Sequence, residues 1–309
     1  MRVLSIGELL WDVIGEQDYL GGAPFNISVS LQRLGNEVAL VSAVGDDQRG
    51  KAALDSIQES GLNIDFIQEI PGSHTGVALA TTDSSGNATF VIDRPAAFDV
   101  VDLDLSMLNR LRNFRPDWIY FGTLAYTHHP RSEAVLQRII DALKHARCFY
   151  DVNLREGHWH LDLVRRLSRL TSILKLNERE AEILFGCCRN SEAFSLESFC
   201  RYWCSEFGVE LICITLGSRG CAIWSDGMLR EFGGFPVRVV DTIGAGDAFS
   251  AGFLHGLQQG WTVERGAFFA NSLGAIVASR PGANPSWDIE ECLRLIKNGH
   301  AGAVSANDC

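Results

Sequence analysis

The sequence predicts an α/β fold built as a doubly wound, mainly parallel sheet with helices on both faces. Three observations carry this. Short apolar runs alternate with longer runs of helical period, polar residues such as Asp151, Asn153 and Asn177 follow apolar runs directly, and two segments stand outside the layered pattern. Strands buried on both faces read as continuous apolar stretches, and open sheets of this kind bind ligands beyond the carboxyl ends of their strands.

Taken in order, Val3 to Ile6 opens the chain as an apolar strand, and Leu10 to Leu20 departs from the layered pattern. Gly21, Gly22, Ala23, Pro24, Phe25 and Asn26 lead into a helix marked by Ile27, Leu31 and Leu34 and closed by Gly35, with Pro24 suited to its first turn. Val38 to Val44 is the next buried strand. Gly76 to Thr82 and Ala88 to Asp93 alternate on either side of the turn-rich Asp83, Ser84, Ser85, Gly86 and Asn87, which predicts a β-hairpin. Further strands are expected at Trp118 to Thr123, Cys148 to Val152, Ile173 to Leu176 and Leu211 to Leu216. Between them the clearest helix is Arg131 to Ala146, with Leu136, Ile139, Ile140 and Leu143 on one face. Residues from about Gly299 to Cys309 read as a loose tail. Neither a repeat nor a linker divides the chain, so residues 1–309 are expected to form one domain.

Composition sets limits on function. With 309 residues, 46% of them hydrophobic and 21% charged, the chain can bury a substantial core. A net charge of −11 without a basic run argues against a nucleic-acid partner, and no apolar stretch is long enough to span a bilayer. The start of the chain has no secretory signature, which points to a cytoplasmic location. Nine scattered cysteines form a poor disulfide framework and lack paired Cys-x-x-Cys spacing; reduced, buried thiols are expected.

Two clusters carry chemistry. Asp241, Thr242, Ile243, Gly244, Ala245, Gly246 and Asp247 precede a helix running to Gln259, with Gly244 to Asp247 read as its first turn. Nearly bare backbone there lets a phosphate approach unpaired N–H groups at the positive end of the helix dipole. A carboxylate beside bound phosphate is repelled, so Asp247 calls for a reason, and abstraction of a proton from an attacking hydroxyl supplies one. A dipole-matching helix-start aspartate is the competing explanation. In the second cluster, Gly21 and Gly22 let backbone lie against a ligand while Asn26 offers both a donor and an acceptor, which suits a polyol; a plain turn and capped helix is the alternative.

Together the Gly-Gly-x-x-x-Asn and Asp-Thr-x-Gly-Ala-Gly-Asp signatures resemble the PfkB, or ribokinase-like, family of carbohydrate kinases, and the resemblance extends from Gly7, Glu8 and Asp12 to Gly282 and Ser286. Within the family, Gly21 to Asn26 (Gly-Gly-Ala-Pro-Phe-Asn) together with Asp151, Asn153, Arg155 and Trp159 look most like fructokinases, with ketodeoxygluconate kinases close behind. The resemblance implies ATP-dependent transfer to a primary hydroxyl of a ketose. It also implies a small β lid drawn from about 10–20 and 74–100, whose strands in relatives often pair into a homodimer. Asp247 would be the base and Gly244, Ala245 and Gly246 the anion hole. Asp12, Gly21, Gly22 and Asn26 would orient the sugar, with Arg94, Asp151, Asn153 and Arg155 also at the substrate site. Thr215, Gly217 and Gly220 would line the nucleotide site, with Asn271 beside adenine and Asn177 near the phosphates. Glu180 would place Mg2+ through water; a capping box of Asn177 with Glu180 is equally readable there. Asp241, Ile243, Arg280, Gly282 and Ser286 would hold a monovalent cation, most suitably K+, through neutral oxygens.

Substrate choice is the least legible feature. Arg94 and Arg155 could grip the carboxylate of a sugar acid such as ketodeoxygluconate, or pair with a phosphate or a surface carboxylate instead. Relatives also act on nucleosides and aminoimidazole riboside. A catalytically silent sugar sensor would have no need of Asp247 and a complete anion loop. His128 and His129 read as solvated loop residues.

Overall fold

The computed structural model describes residues 1–14, 17–82, 88–189 and 192–301. The chain gathers into two compact units. One takes Met1–Gln32, Glu37–Cys148 and Leu154–Val164; the other takes Arg33–Asn36, Phe149–Asn153 and the chain from Arg165 on.

The earlier elements are β1 (Arg2–Ile6), β2 (Leu10–Ile14), β3 (Gln17–Gly21), α1 (Ala23–Arg33), β4 (Glu37–Gly45), α2 (Gln48–Glu59), β5 (Ile67–Ile70), β6 (Gly76–Thr82), β7 (Ala88–Ile92), α3 (Leu105–Phe114), β8 (Trp118–Phe121) and α4 (Pro130–Ala142). From β1 outward the pairing is parallel: Val3 lies opposite Val38 on one side and Trp118 on the other, giving the order β8-β1-β4-β5. The segment Leu10 to Leu20 resolves into two antiparallel strands, and β2 also pairs in parallel with β6, so a second sheet runs β3-β2-β6-β7. Its β6–β7 pairing is antiparallel, as a hairpin requires; the expected turn Asp83 to Asn87 lies outside the described residues. Leu9, Trp11, Phe25, Val29, Leu40, Val44, Ala53 and Ile57 form the core of this unit.

The later elements are β9 (Arg147–Asp151), α5 (Leu161–Ser168), β10 (Ile173–Asn177), α6 (Glu178–Cys188), α7 (Leu196–Phe207), β11 (Leu211–Thr215), β12 (Cys221–Ser225), β13 (Met228–Phe232), α8 (Ala245–Gln258), α9 (Val263–Ala278) and α10 (Ile289–Ala301). β9, β10 and β11 are parallel, while β12 and β13 continue the sheet antiparallel. Those two strands escaped the sequence reading. Their signal was Asp226-Gly227, both at positive φ (53° and 75°), the turn chemistry of a two-residue hairpin. Helices α8 and α9 carry the core of this unit through Ala248, Phe269, Leu273, Ile276 and Val277.

Two helix ends are among the boundaries that differ from expectation. The helix predicted to reach Ala146 ends at Ala142, because Ala146 N–H closes a turn onto Leu143 O (2.8 Å) that delivers the chain to β9; Leu143 stays fully buried, which is why the apolar period overran. Helix α10 runs on to Ala301, past the expected onset of the tail, and residues 302–309 lie outside the described part. No described helix is long and apolar enough to cross a membrane. The described cysteines are all free thiols, and burial pushes that of Cys148 up to about 12, well into the protonated range.

Candidate active site

The segment expected to be an anion loop is built at the start of α8. Gly244 lies just outside the helix as its N-cap, at φ 77°, rather than within the first turn. Two constraints demand glycine there: the left-handed backbone, and a Cβ that would collide with the Ala283 carbonyl. Ala248 N–H bonds Gly244 O at 2.9 Å and Ala245 N–H bonds Thr242 O at 3.3 Å. Asp247 is the third helical residue and, like Gly244, Ala245 and Gly246, is only half-buried. The loop is thus fixed in shape and open to a ligand.

A cavity of about 540 Å³ adjoins it in the same unit. Thr215, Gly217, Gly220, Asn271, Ala245 and Gly246 all line it, with Phe235, Pro236, Val237, Val239 and Phe249 giving apolar walls. That volume and character suit a flat heteroaromatic group with its charged end at the helix N-terminus. Asn271 is spoken for. Its amide donates to the carbonyls of Phe232 and Gly233, both at 3.1 Å, so it braces the end of β13 that forms one wall.

Asn177 and Glu180 form the capping box: Glu180 N–H donates to Asn177 Oδ1 at 2.9 Å and Asn177 N–H to Glu180 Oε2 at 2.8 Å. Beside them the sequence reading missed a residue. Lys175, inside the apolar run Ile-Leu-Lys-Leu, extends its ammonium to both oxygens of Asp151, at 2.9 and 3.1 Å. Ser250 Oγ approaches the same carboxylate at 3.1 Å and the Gly246 carbonyl at 3.0 Å. Asp151, expected at the sugar, is therefore placed in the core at 0% exposure, because its strand partner Lys175 carries a charge that must be matched.

A third feature of this unit joins distant segments. Asp241 accepts from the amides of Ile243 (2.9 Å) and Gly282 (3.1 Å). Arg280 donates to the Ser286 carbonyl and pairs with Glu291, and Arg33 donates to the Pro285 carbonyl at 2.7 Å. The expected cation-binding residues are thus neighbours, with two arginines already bonded to loop carbonyls.

In the other unit, Asp12 sits on β2 opposite Tyr19 and Ala78, half-buried. A Cβ on Gly21 would strike its carboxylate, and one on Gly22 (φ 105°) the Glu8 carbonyl; bare backbone is what lets Asp12 lie here. Asn26 is buried in the first turns of α1, where its N–H bonds Gly22 O at 3.0 Å. Arg94 is not a waiting guanidinium. It forks onto both oxygens of Asp99, donates to Leu124 O and Thr127 Oγ1 (both 3.2 Å), and stacks over Phe98. Arg155 is exposed, and Asn153, in the second unit, takes a left-handed backbone at φ 40°.

Known proteins match this chain throughout. Fructokinase-1 of Oryza sativa subsp. japonica is 29% identical over 297 residues, covering 90% of this chain and 88% of that protein. Aminoimidazole riboside kinase of Salmonella typhimurium is 28% identical over 97% of this chain and 96% of its own length. The fold is shared with the crystal structure of fructokinase from Vibrio cholerae O395 in a form bound to fructose, ADP and calcium ion, at a TM-score of 0.79, 24% identity, and coverage of 96% and 98% of the two chains. The profile of the pfkB family carbohydrate kinases matches residues 5–290, and the chain, an ATP-dependent carbohydrate kinase, belongs to that family.

Proposed function

We propose that the chain is a fructokinase, transferring the terminal phosphoryl group of ATP to a primary hydroxyl of fructose or a closely related ketose. The observation that carries the substrate class is the engagement of Arg94: with its guanidinium bonded to Asp99, Leu124 and Thr127, the described residues of the lid segment offer no bidentate grip for a sugar carboxylate, which favours a neutral sugar. Fructokinases among the relatives agree with this choice.

In this reading ATP occupies the cavity beside α8, with its phosphates toward the backbone at the N-cap Gly244 and at Ala245 and Gly246 of the helix start. Those dipoles are already in place, so they stabilise the transferring group without reorganisation. Asp247, on the same turn, takes the proton of the attacking hydroxyl as the bond to phosphorus forms. Asp12, Gly21, Gly22 and Asn26 orient the sugar, joined by Arg155 of the same unit. Mg2+ would arrive with the nucleotide, lowering the charge on its phosphates, and Glu180 would meet it through water. K+ would sit among the carbonyls near Asp241, Ile243, Gly282 and Ser286, next to Arg280. The exposed pair Leu79 and Val91, directly opposite each other on β6 and β7, is the apolar patch through which two lids would pair.

The test is ADP release with ATP, Mg2+ and K+ against fructose, other ketoses, ketodeoxygluconate, nucleosides and aminoimidazole riboside. Highest catalytic efficiency on fructose supports the reading. Preference for a sugar acid or a riboside replaces it with the corresponding kinase, and no turnover on any of them leaves the silent sensor.

A further inference from the structure

We propose that Lys175 is a positioning residue for phosphoryl transfer, its ammonium supporting the Gly246 turn of the anion loop and supplying the positive charge that lets Asp247 and incoming phosphates share one helix end. This rests on the kinase reading above and adds to it a residue that neither signature contains. Three observations converge.

The first is steric. A Cβ built on Gly246 would lie 3.0 Å from Lys175 Nζ, so the ammonium fills the space under that residue. The second is connectivity. Asp151 holds Nζ with both oxygens and is also bonded by Ser250, whose hydroxyl contacts the Gly246 carbonyl; β9, β10 and the first turns of α8 are thereby tied at one point. The third is charge. Asp151, Asp247 and Glu180 all act on Lys175, which is 9% exposed, and its register partner on β11, Cys213, is a thiol whose pKa burial pushes up. Burial lowers the pKa of Lys175, but Asp151, Asp247 and Glu180 together outweigh it and raise the pKa above its ordinary value, which favours the ammonium.

An internal ion pair with Asp151 alone would need no contact with the loop. One ammonium facing three carboxylates leaves net negative charge, and its lever on an approaching phosphate is direct because so little water intervenes. Removing it would leave Asp247 and Glu180 to repel the nucleotide's terminal phosphates.

The test separates loop support from pair neutralisation. Lys175→Met alone strands a buried carboxylate and can fail to fold, so the decisive protein is Lys175→Met with Asp151→Asn, compared with Asp151→Asn alone. Binding of a non-hydrolysable ATP analogue is read by calorimetry, together with kcat, sugar KM and Tm. The double variant should fold, bind the analogue about tenfold more weakly and lose at least about tenfold in kcat, with sugar KM changed by less than about twofold. Asp151→Asn alone keeps the Lys175 side chain under Gly246 and two of its three carboxylates, and should lose less than about threefold in analogue affinity. Wild-type-like affinity and kcat in the double variant, or an equal loss in Asp151→Asn alone, would overturn the proposal. Analogue binding requires no sugar, so a wrong substrate assignment leaves this result standing.

Discussion

The Asp241 carboxylate holds the Gly282 amide at 3.1 Å through one oxygen and the Ile243 amide at 2.9 Å through the other, tying the strand of chain before the anion loop to the turn after α9. A cation among the carbonyls of these two segments would tighten the same joint. Replacing sodium by potassium at fixed ionic strength is therefore expected to raise kcat by roughly fivefold or more. Asp241→Ala should erase that difference. Equal rates in potassium, sodium and a bulky organic cation would remove the cation from the mechanism.

Asp247→Asn keeps the shape of the first turn and removes the proton acceptor. Turnover should fall by roughly 10² to 10⁴-fold while nucleotide affinity changes little. Steady-state rates and analogue titration check both halves; a nearly active amide would reduce Asp247 to a helix-start residue.

Gly244→Ala forces a side chain into a left-handed position already closed by Ala283. The backbone term alone is about 1–2 kcal/mol. Thermal unfolding should show a lowered midpoint and assays a loss of kcat, since the displaced residue begins the anion loop. Gly260→Ala, at φ 68° but with open space around it, carries the backbone penalty alone and gives the comparison for stability.

Arg94 and Arg155 should behave as opposites. Arg94→Ala leaves Asp99, 0% exposed, without its partner at a cost of about 3–5 kcal/mol, and should appear chiefly as lost stability. Arg155→Ala should leave unfolding within about 0.5 kcal/mol of wild type and act on catalytic efficiency. Urea unfolding and kinetics on fructose and ketodeoxygluconate distinguish the two.

His255 gives the stability a pH dependence. It is 7% exposed, 3.2 Å from Asn36 Nδ2 and edge-on to Trp261, and burial lowers its pKa from 6.5. The folded state thus binds its proton less readily than the unfolded chain. Its contribution is complete above about pH 6.5 and is lost as pH falls from there through the lowered folded value. His255→Gln should flatten the drop in Tm between neutral and mildly acid pH; an unchanged slope would assign that drop to other groups.

The sequence alone determined the alternation of buried strands and helices, the hairpin of β6 and β7 and the heptad ahead of α8, because each is written in local periodicity and turn chemistry. Residues Asp241 to Asp247 could be read as an anion loop since glycine spacing and a helix start are properties of neighbouring residues. Tertiary structure decided what sequence spacing cannot carry. Arg94 and Asp99 are five residues apart, yet only folding brings the same guanidinium to Leu124 and Thr127, thirty-odd residues on. Lys175 reads as an oddity in an apolar strand until β9 and β10 align it with Asp151 and α8 lowers Gly246 onto its ammonium. Charges are placed by partners remote in the chain, and whether a titratable side chain serves a ligand or the core depends on which of those partners the fold delivers.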